Sequence, residues 1–453
     1  MANSKRILTL DFLRGMAIFL MCIFHVFVNS SRLMDVDDPF TNIALIIIFL
    51  FIFIFAHFRG FFILISGTVN IYSMTKRIKK GADPMKLWRK QLGVGLFLVI
   101  FGHVKDTFIN QWGIFREYYL AGGFAADNFD WAGQWEKMWQ LGYTSEAIQS
   151  IGWCLLLTST IYLIILKFND VNDLKKNAII MGFLALIFIY AAESIQLAFS
   201  DLVGYPIYGG SDPWNVEKQG IDYLTYYFIY DLAGAQAPIF PMMAYSLFGA
   251  IFGIYLNKQD LTRKFLKNGT RIGIGLMIMG SMDFIIRMFF QDSFEFDPNF
   301  QVHPSWFVLL AIGIQILLMM LCFKIFEFNK NKTPEQIKKQ TLFIRRWGFL
   351  SLTIYAFQIL EFIPRAILAS VFPSSQLGQW SESPIGWVLL FMVMNILMWE
   401  GIIRLAEKIK MKGTLEWVLL YFNNRKKALD EEDPLNLEEN VYKVEPVPFG
   451  MQN

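Results

Sequence analysis

The chain has 453 residues, 55% of them hydrophobic, with a mean hydropathy of +0.40. Only 17% are charged, against roughly 25% in a soluble globular domain, so an ordinary soluble fold is excluded. A net charge of +3 offers no footing for a nucleic-acid partner, and three cysteines inside separate apolar runs (Cys22, Cys154, Cys322) exclude a disulfide framework or a zinc site.

Repeated apolar runs long enough to cross a bilayer predict one all-α, polytopic membrane helix bundle over residues 1–412, followed by a charged cytosolic tail, 413–453. About ten spans are expected. In chain order they cover 8–30, 42–74, 87–104, 147–166, 177–199, 236–256, 271–290, 304–326, 347–371 and 385–406. The first lacks a small-residue cleavage site and is interrupted by polar residues, so it reads as a span of the mature chain rather than a signal peptide. The second is long, and His57 with Arg59 in "AHFRG" marks either a break lining a cavity or a kink without chemistry.

Lys and Arg set the orientation, because cytoplasmic flanks are enriched in them. With both termini in the cytosol, five basic residues fall outside: Arg32, Lys105, Arg116, Lys137 and Lys218. Four fall within spans (Arg14, Arg59, Arg287, Arg365), and the other 32 of the 41 lie inside. Gaining or losing one span would destroy this asymmetry. Two outside segments, 105–146 and 200–235, are rich in Trp, Tyr and Gly, which suits a membrane interface or carbohydrate contact equally. The tail from 413, which is charged and closes with "DEEDPLNLEENVYKVEPVPFGMQN", is expected to be partly disordered.

The first span holds the densest chemistry. At 100° per residue, Asp11, Arg14, Ile18, Cys22, His25 and Asn29 form one stripe about 27 Å long. Its polar members make two stations, one toward each end of the helix. Ionisable groups in a membrane face an interior or a wet cavity. Asp11 and Arg14, three apart, can pair locally and fix the helix position. His25 is either a hydrogen-bonded packing histidine or a general base, since its titration range suits proton transfer.

The stretch "LDFLRGMAIFLMCIFHV" resembles the N-terminal helix of the transmembrane acyltransferase superfamily, whose members include heparan-alpha-glucosaminide N-acetyltransferase, bacterial membrane O-acyltransferases of surface polysaccharides and YeiB-like proteins. Arg6, Leu10-Asp11, Arg14-Gly15 and His25 carry the pattern. "FRGFFILISGTVN" (58–70), "WRKQLGVGLFLVIFGHV" (88–104), "FPMMAYSLFGAIFGIYL" (240–256), "WGFLSLTIYAFQ" (347–358) and "GTLEWVLLYF" (413–422) are similar to further elements of that family. The resemblance implies a cell-membrane acyltransferase without a metal. It would carry an acyl group from cytosolic acyl-CoA, acetyl-CoA first among them, to a hydroxyl or amine of a glycan or lipid acceptor outside.

On that reading His25 is the catalytic base, with Asp11, Asn29 and His103 on the catalytic side. Arg14 meets a CoA phosphate or holds Asp11. Arg77, Arg89 and Lys90, in the basic cluster around Lys76, Lys79 and Lys80, hold the nucleotide end or serve as plain cytosolic flanks. His303 reads as an interface residue. Asp283 with Arg287, and Glu361 with Arg365, have the spacing of intrahelical ion pairs. Glu193, Gln196, Gln358, Asn395 and Glu400 are expected as interior hydrogen-bond partners. A transporter or flippase with a polar path, and a non-enzymatic scaffold or sensor, remain alternatives, and homo-oligomerisation is left open.

Overall fold

A computed structural model describes residues 6–28, 30, 58–109, 146–203, 222–234, 237–258, 261–290, 304–329, 331–375, 377, 383–444 and 446. These residues are predominantly helical, with no strand among them. Six helices are long and apolar enough to cross a membrane: Leu8–Phe27, Ala147–Phe168, Leu174–Leu202, Arg263–Phe290, Ser305–Phe326 and Ile385–Lys408. Two compact units account for the chain, residues 1–58 with 329–447, and residues 59–328 with 448–453.

In the first unit α1 (Leu8–Val28) packs against α10 (Pro334–Phe349) and α13 (Ile385–Lys408). The start of α10 is written locally: Thr333 and Gln336 form a reciprocal capping box, and Pro334 takes the first helical position. The α1–α10 crossing is a backbone contact. A Cβ on Gly15 would stand 1.8 Å from the Ile344 carbonyl oxygen, and one on Gly348 would stand 2.4 Å from the Asp11 carbonyl oxygen. Only glycine permits that approach, which gives Arg14-Gly15 a packing reason.

The expected span 347–371 is not one helix. It breaks at Leu350 and again at Phe357, giving α11 (Ser351–Ala356), a 3-10 turn (Gln358–Glu361) and α12 (Phe362–Val371). The tail also departs from expectation. Beyond the Gly413 turn (φ +86), α14 (Leu415–Asn423) and α15 (Arg425–Asp430) form. Glu416 explains both departures, because its carboxylate accepts from the Leu352 and Thr353 backbone N–H groups (2.9 and 3.3 Å) and from Thr353 Oγ1 (2.5 Å). The tail therefore caps the restarted helix α11. Further on, the buried Arg345 guanidinium donates to the Val441 carbonyl at 2.7 Å.

The second unit comprises α2 (Phe58–Lys79), α3 (Pro84–Phe108), α4 (Ala147–Phe168), α5 (Leu174–Val203), α6 (Asp222–Ala233), α7 (Ile239–Tyr255), α8 (Arg263–Phe290) and α9 (Ser305–Phe326). Residues 222–233, expected as outside loop, are helical. A hydrogen-bonded seam joins α2 to α4: Asn70 Nδ2 donates to Ser159 Oγ (2.8 Å), and Thr75 Oγ1 lies 2.8 Å from the Tyr162 hydroxyl. Besides an apolar core, polar side chains such as Asn70, Gln149 and Ser159 are buried while several large apolar ones face outward. Phe183 and Ile187 on α5, and Ile278, Ile285 and Phe289 on α8, are exposed. That inversion suits lipid as the solvent. The expected 42–57 stretch, with His57, lies outside the described residues, as do Asn29 and His303.

Candidate functional site

The first unit carries two polar stations along α1, as the stripe predicted, but their pairing differs. Asp11 pairs with Arg6, not with Arg14: Arg6 Nε and Nη2 grip its carboxylate at 2.9 and 2.6 Å. The planar fork of Arg6, one turn before Asp11, supplies the bidentate geometry that a carboxylate prefers. Arg14 is thereby released. Its Nε donates to the Gly348 carbonyl at 2.9 Å, while Nη1 and Nη2 make no hydrogen bond to the described residues. The half-buried guanidinium thus holds two nitrogens ready for an anion. Glu416 lies close enough to feel it. Burial pushes the Glu416 carboxyl above its ordinary range, and the Thr353 hydrogen bonds and the Arg14 charge pull the other way.

The second station is His25, about 16 Å further along the helix at 1.5 Å per residue. The broken element brings Gln358 to it. The amide nitrogen of Gln358 donates to Nδ1 of the half-buried imidazole. The orientation of this amide sets the tautomer. With nitrogen toward Nδ1, the neutral ring carries its proton on Nε2 and donates there; with oxygen toward Nδ1, Nε2 becomes the base. Glu361 is fully buried in the same 3-10 turn. Arg365 reaches Ser30 Oγ at 2.7 Å and stacks 5.1 Å from the Phe391 ring centroid. A helix broken beside buried polar groups is how membrane proteins line a cavity at depth.

In the second unit His103 is buried on α3, with Nε2 3.2 Å from Asp231 Oδ2 on α6. Trp153 Nε1 donates to the same oxygen at 2.8 Å, and the Tyr227 ring lies 4.1 Å from the His103 ring, centroid to centroid. Lys105 and Gln149 each donate to Asp106 at 2.5 Å. Asp231, Trp153 and Tyr227 escaped the sequence reading because α6 reads as loop and its partners lie up to 128 residues away. The only early signal was the aromatic, amphipathic run "YLTYYFIYDLAG".

Arg77, Arg89 and Lys90 are exposed on the α2–α3 hairpin, which turns at Gly81 (φ +86). The hairpin is dictated locally, with Asp83 capping α3 and Pro84 opening it. Asp283 and Arg287 do pair, at 3.2 Å, and are joined by Glu193 (2.8 Å) and Ser305 in a closed network. Glu400 pairs with Arg346 at 2.6 Å. Among the described residues no three His, Cys, Asp or Glu side chains converge as a metal site. No protein-family model matches the chain, and no curated protein matches it.

Proposed function

We propose that this protein is a cell-membrane acyltransferase with ten spans and both termini in the cytosol. It would move an acyl group from cytosolic acyl-CoA to a hydroxyl or amine of a glycan or lipid acceptor on the outer side. The observation that carries the reading is the division of labour along α1. Arg6 takes Asp11, which leaves Arg14 with the N–H donors of Nη1 and Nη2 open among the described residues, while His25 stands at the other end of α1 beside the broken helix. A guanidinium with a free fork suits a CoA phosphate. With the Gln358 amide turned so that its oxygen accepts from Nδ1–H, Nε2 is free to remove a proton from an acceptor during attack on the thioester carbonyl; with its nitrogen toward Nδ1 the ring donates from Nε2 instead.

In this scheme Arg14 anchors the donor and His25 handles the acceptor proton, both in the first unit; Arg77, Arg89 and Lys90, exposed in the second, suit the nucleotide end by their charge alone. Asp11 fixes Arg6 and keeps it from competing with Arg14. His103 belongs to the acceptor side. The family resemblance of Arg6, Leu10-Asp11, Arg14-Gly15 and His25 supports the same assignment. The broken α11–α12 element also fits a transporter, whose discontinuous helices frame a substrate path.

Thermal shift of the purified protein with acetyl-CoA and with CoA separates the two readings, because a ligand of the native state raises apparent stability. Saturable stabilisation that Arg14→Ala weakens roughly tenfold or more, the scale of a charge-assisted hydrogen bond, and His25→Ala spares supports acyl transfer. His25→Ala should then lower turnover by about 10²–10⁴. A folded, monodisperse protein indifferent to every acyl-CoA would favour transport.

A further inference from the structure

We propose that Asp231, with Trp153 and Tyr227 beside it, binds a hydroxyl of a neutral sugar ring, and that the second unit thereby carries the acceptor site. The starting point is one atom. Asp231 is 1% exposed, and its Oδ2 takes both His103 and Trp153. Its Oδ1 has no hydrogen-bond partner among the described residues. A buried carboxylate oxygen without a donor is held at a cost, and such an atom in a native fold calls for a reason. The nearby donors Lys105 Nζ and Gln149 Nε2 are spent on Asp106 instead. Oδ1 of Asp231 is an open acceptor position beside two donors already spent on Oδ2.

The surroundings select the donor. Trp153 and Tyr227 are only half-buried; Trp153 meets the carboxylate through its indole N–H and Tyr227 packs on the His103 ring, so two partly exposed aromatic rings stand beside Asp231. A sugar ring offers both matching features, hydroxyl donors at its edge and C–H groups for an aromatic face. An ammonium fits less well. It would share one carboxylate with the His103 ring, 3.2 Å from the other oxygen, and would be repelled whenever that ring is protonated. A hydroxyl meets no such penalty. The site itself stands without catalysis; its use as an acceptor site rests on the acyl-transfer reading.

The test is saturation-transfer NMR on the full chain in lipid nanodiscs, which avoid sugar-headed detergents. The probes are the methyl α-glycosides of glucose, galactose, mannose and N-acetylglucosamine. At least one should give a saturable signal above empty nanodiscs, and Asp231→Asn, which puts an amide where a carboxylate accepted, should weaken it tenfold or more. Should Asp231→Asn fail to fold, Tyr227→Leu keeps the carboxylate and removes an aromatic wall, and a severalfold loss is expected. No signal from any of the four glycosides, or affinity unchanged in the folded variant, overturns the proposal and leaves Oδ1 to water. Glycoside binding that depends on Asp231 without acyl transfer would keep the site and overturn the acyltransferase. Acyl transfer to a glycoside with KM unchanged by Asp231→Asn would do the reverse.

Discussion

Gly15 and Gln358 show how single residues decide this molecule. Gly15 lies in a segment that periodicity marks as helix, yet nothing in the spacing says that another backbone passes there. The 1.8 Å gap between its would-be Cβ and the Ile344 oxygen does. Gly15→Ala should therefore destabilise the protein by about 1–3 kcal/mol, the usual cost of forcing atoms into a packed contact, read as a lower thermal midpoint in detergent. Gln358 touches His25 across 333 residues of chain. Gln358→Met should leave the fold intact and lower turnover on the order of a hundredfold, the scale of a misoriented catalytic group. Nitrogen-15 NMR of His25 should show mixed tautomers in that variant and one in the parent. A merely structural glutamine would leave both readouts unchanged.

Elements depart further from the sequence reading, and the tail is the clearest case. Its charge and low hydrophobicity read as disorder, yet Glu416 caps α11 and Arg345 holds the Val441 carbonyl. Deleting residues 413–453 should lower the thermal midpoint sharply, where loss of a disordered tail would not. Arg345→Ala alone should cost about 1–3 kcal/mol by leaving a buried carbonyl without its donor. Glu416 also predicts a pH dependence. Its folded-state pKa is raised above the ordinary 4.5, so the native state binds more protons than the unfolded state between those two values. Stability then falls as pH rises through that window. Glu416→Gln should remove this contribution, and thermal midpoints of the two proteins measured across that window should differ in slope.

At the scale of the whole molecule the decisive quantity is the distribution of basic residues. On the proposed ten-span arrangement five basic residues lie outside against 32 inside, so reporters fused at residues 120 and 212 should report the outer side, and reporters at residue 171 and the C-terminus the cytosol. A cytosolic signal at residue 120 would sink the ten-span arrangement. The outward apolar stripes on α5 and α8 agree with lipid contact. Exchanging exposed Phe183 or Ile278 for Asp should impair membrane insertion by roughly 2.5–3.5 kcal/mol per site at mid-bilayer, read as a lower inserted fraction.

The sequence by itself determined the all-helical membrane class, the polar face of α1 and most helix positions, because these follow from hydropathy, periodicity and caps written within a few residues of one another. Pairing across the chain was decided only by tertiary structure. Asp11 has an arginine on either side, and packing of α10 against Gly15 takes Arg14 to the Gly348 carbonyl and leaves Asp11 to Arg6. The break at residues 350–361 follows from Glu416, more than fifty positions later, supplying the cap that a restarted helix needs. Asp231 meets His103 because α6, packed on α5 and α7, carries it beside α3, a contact that local spacing does not encode.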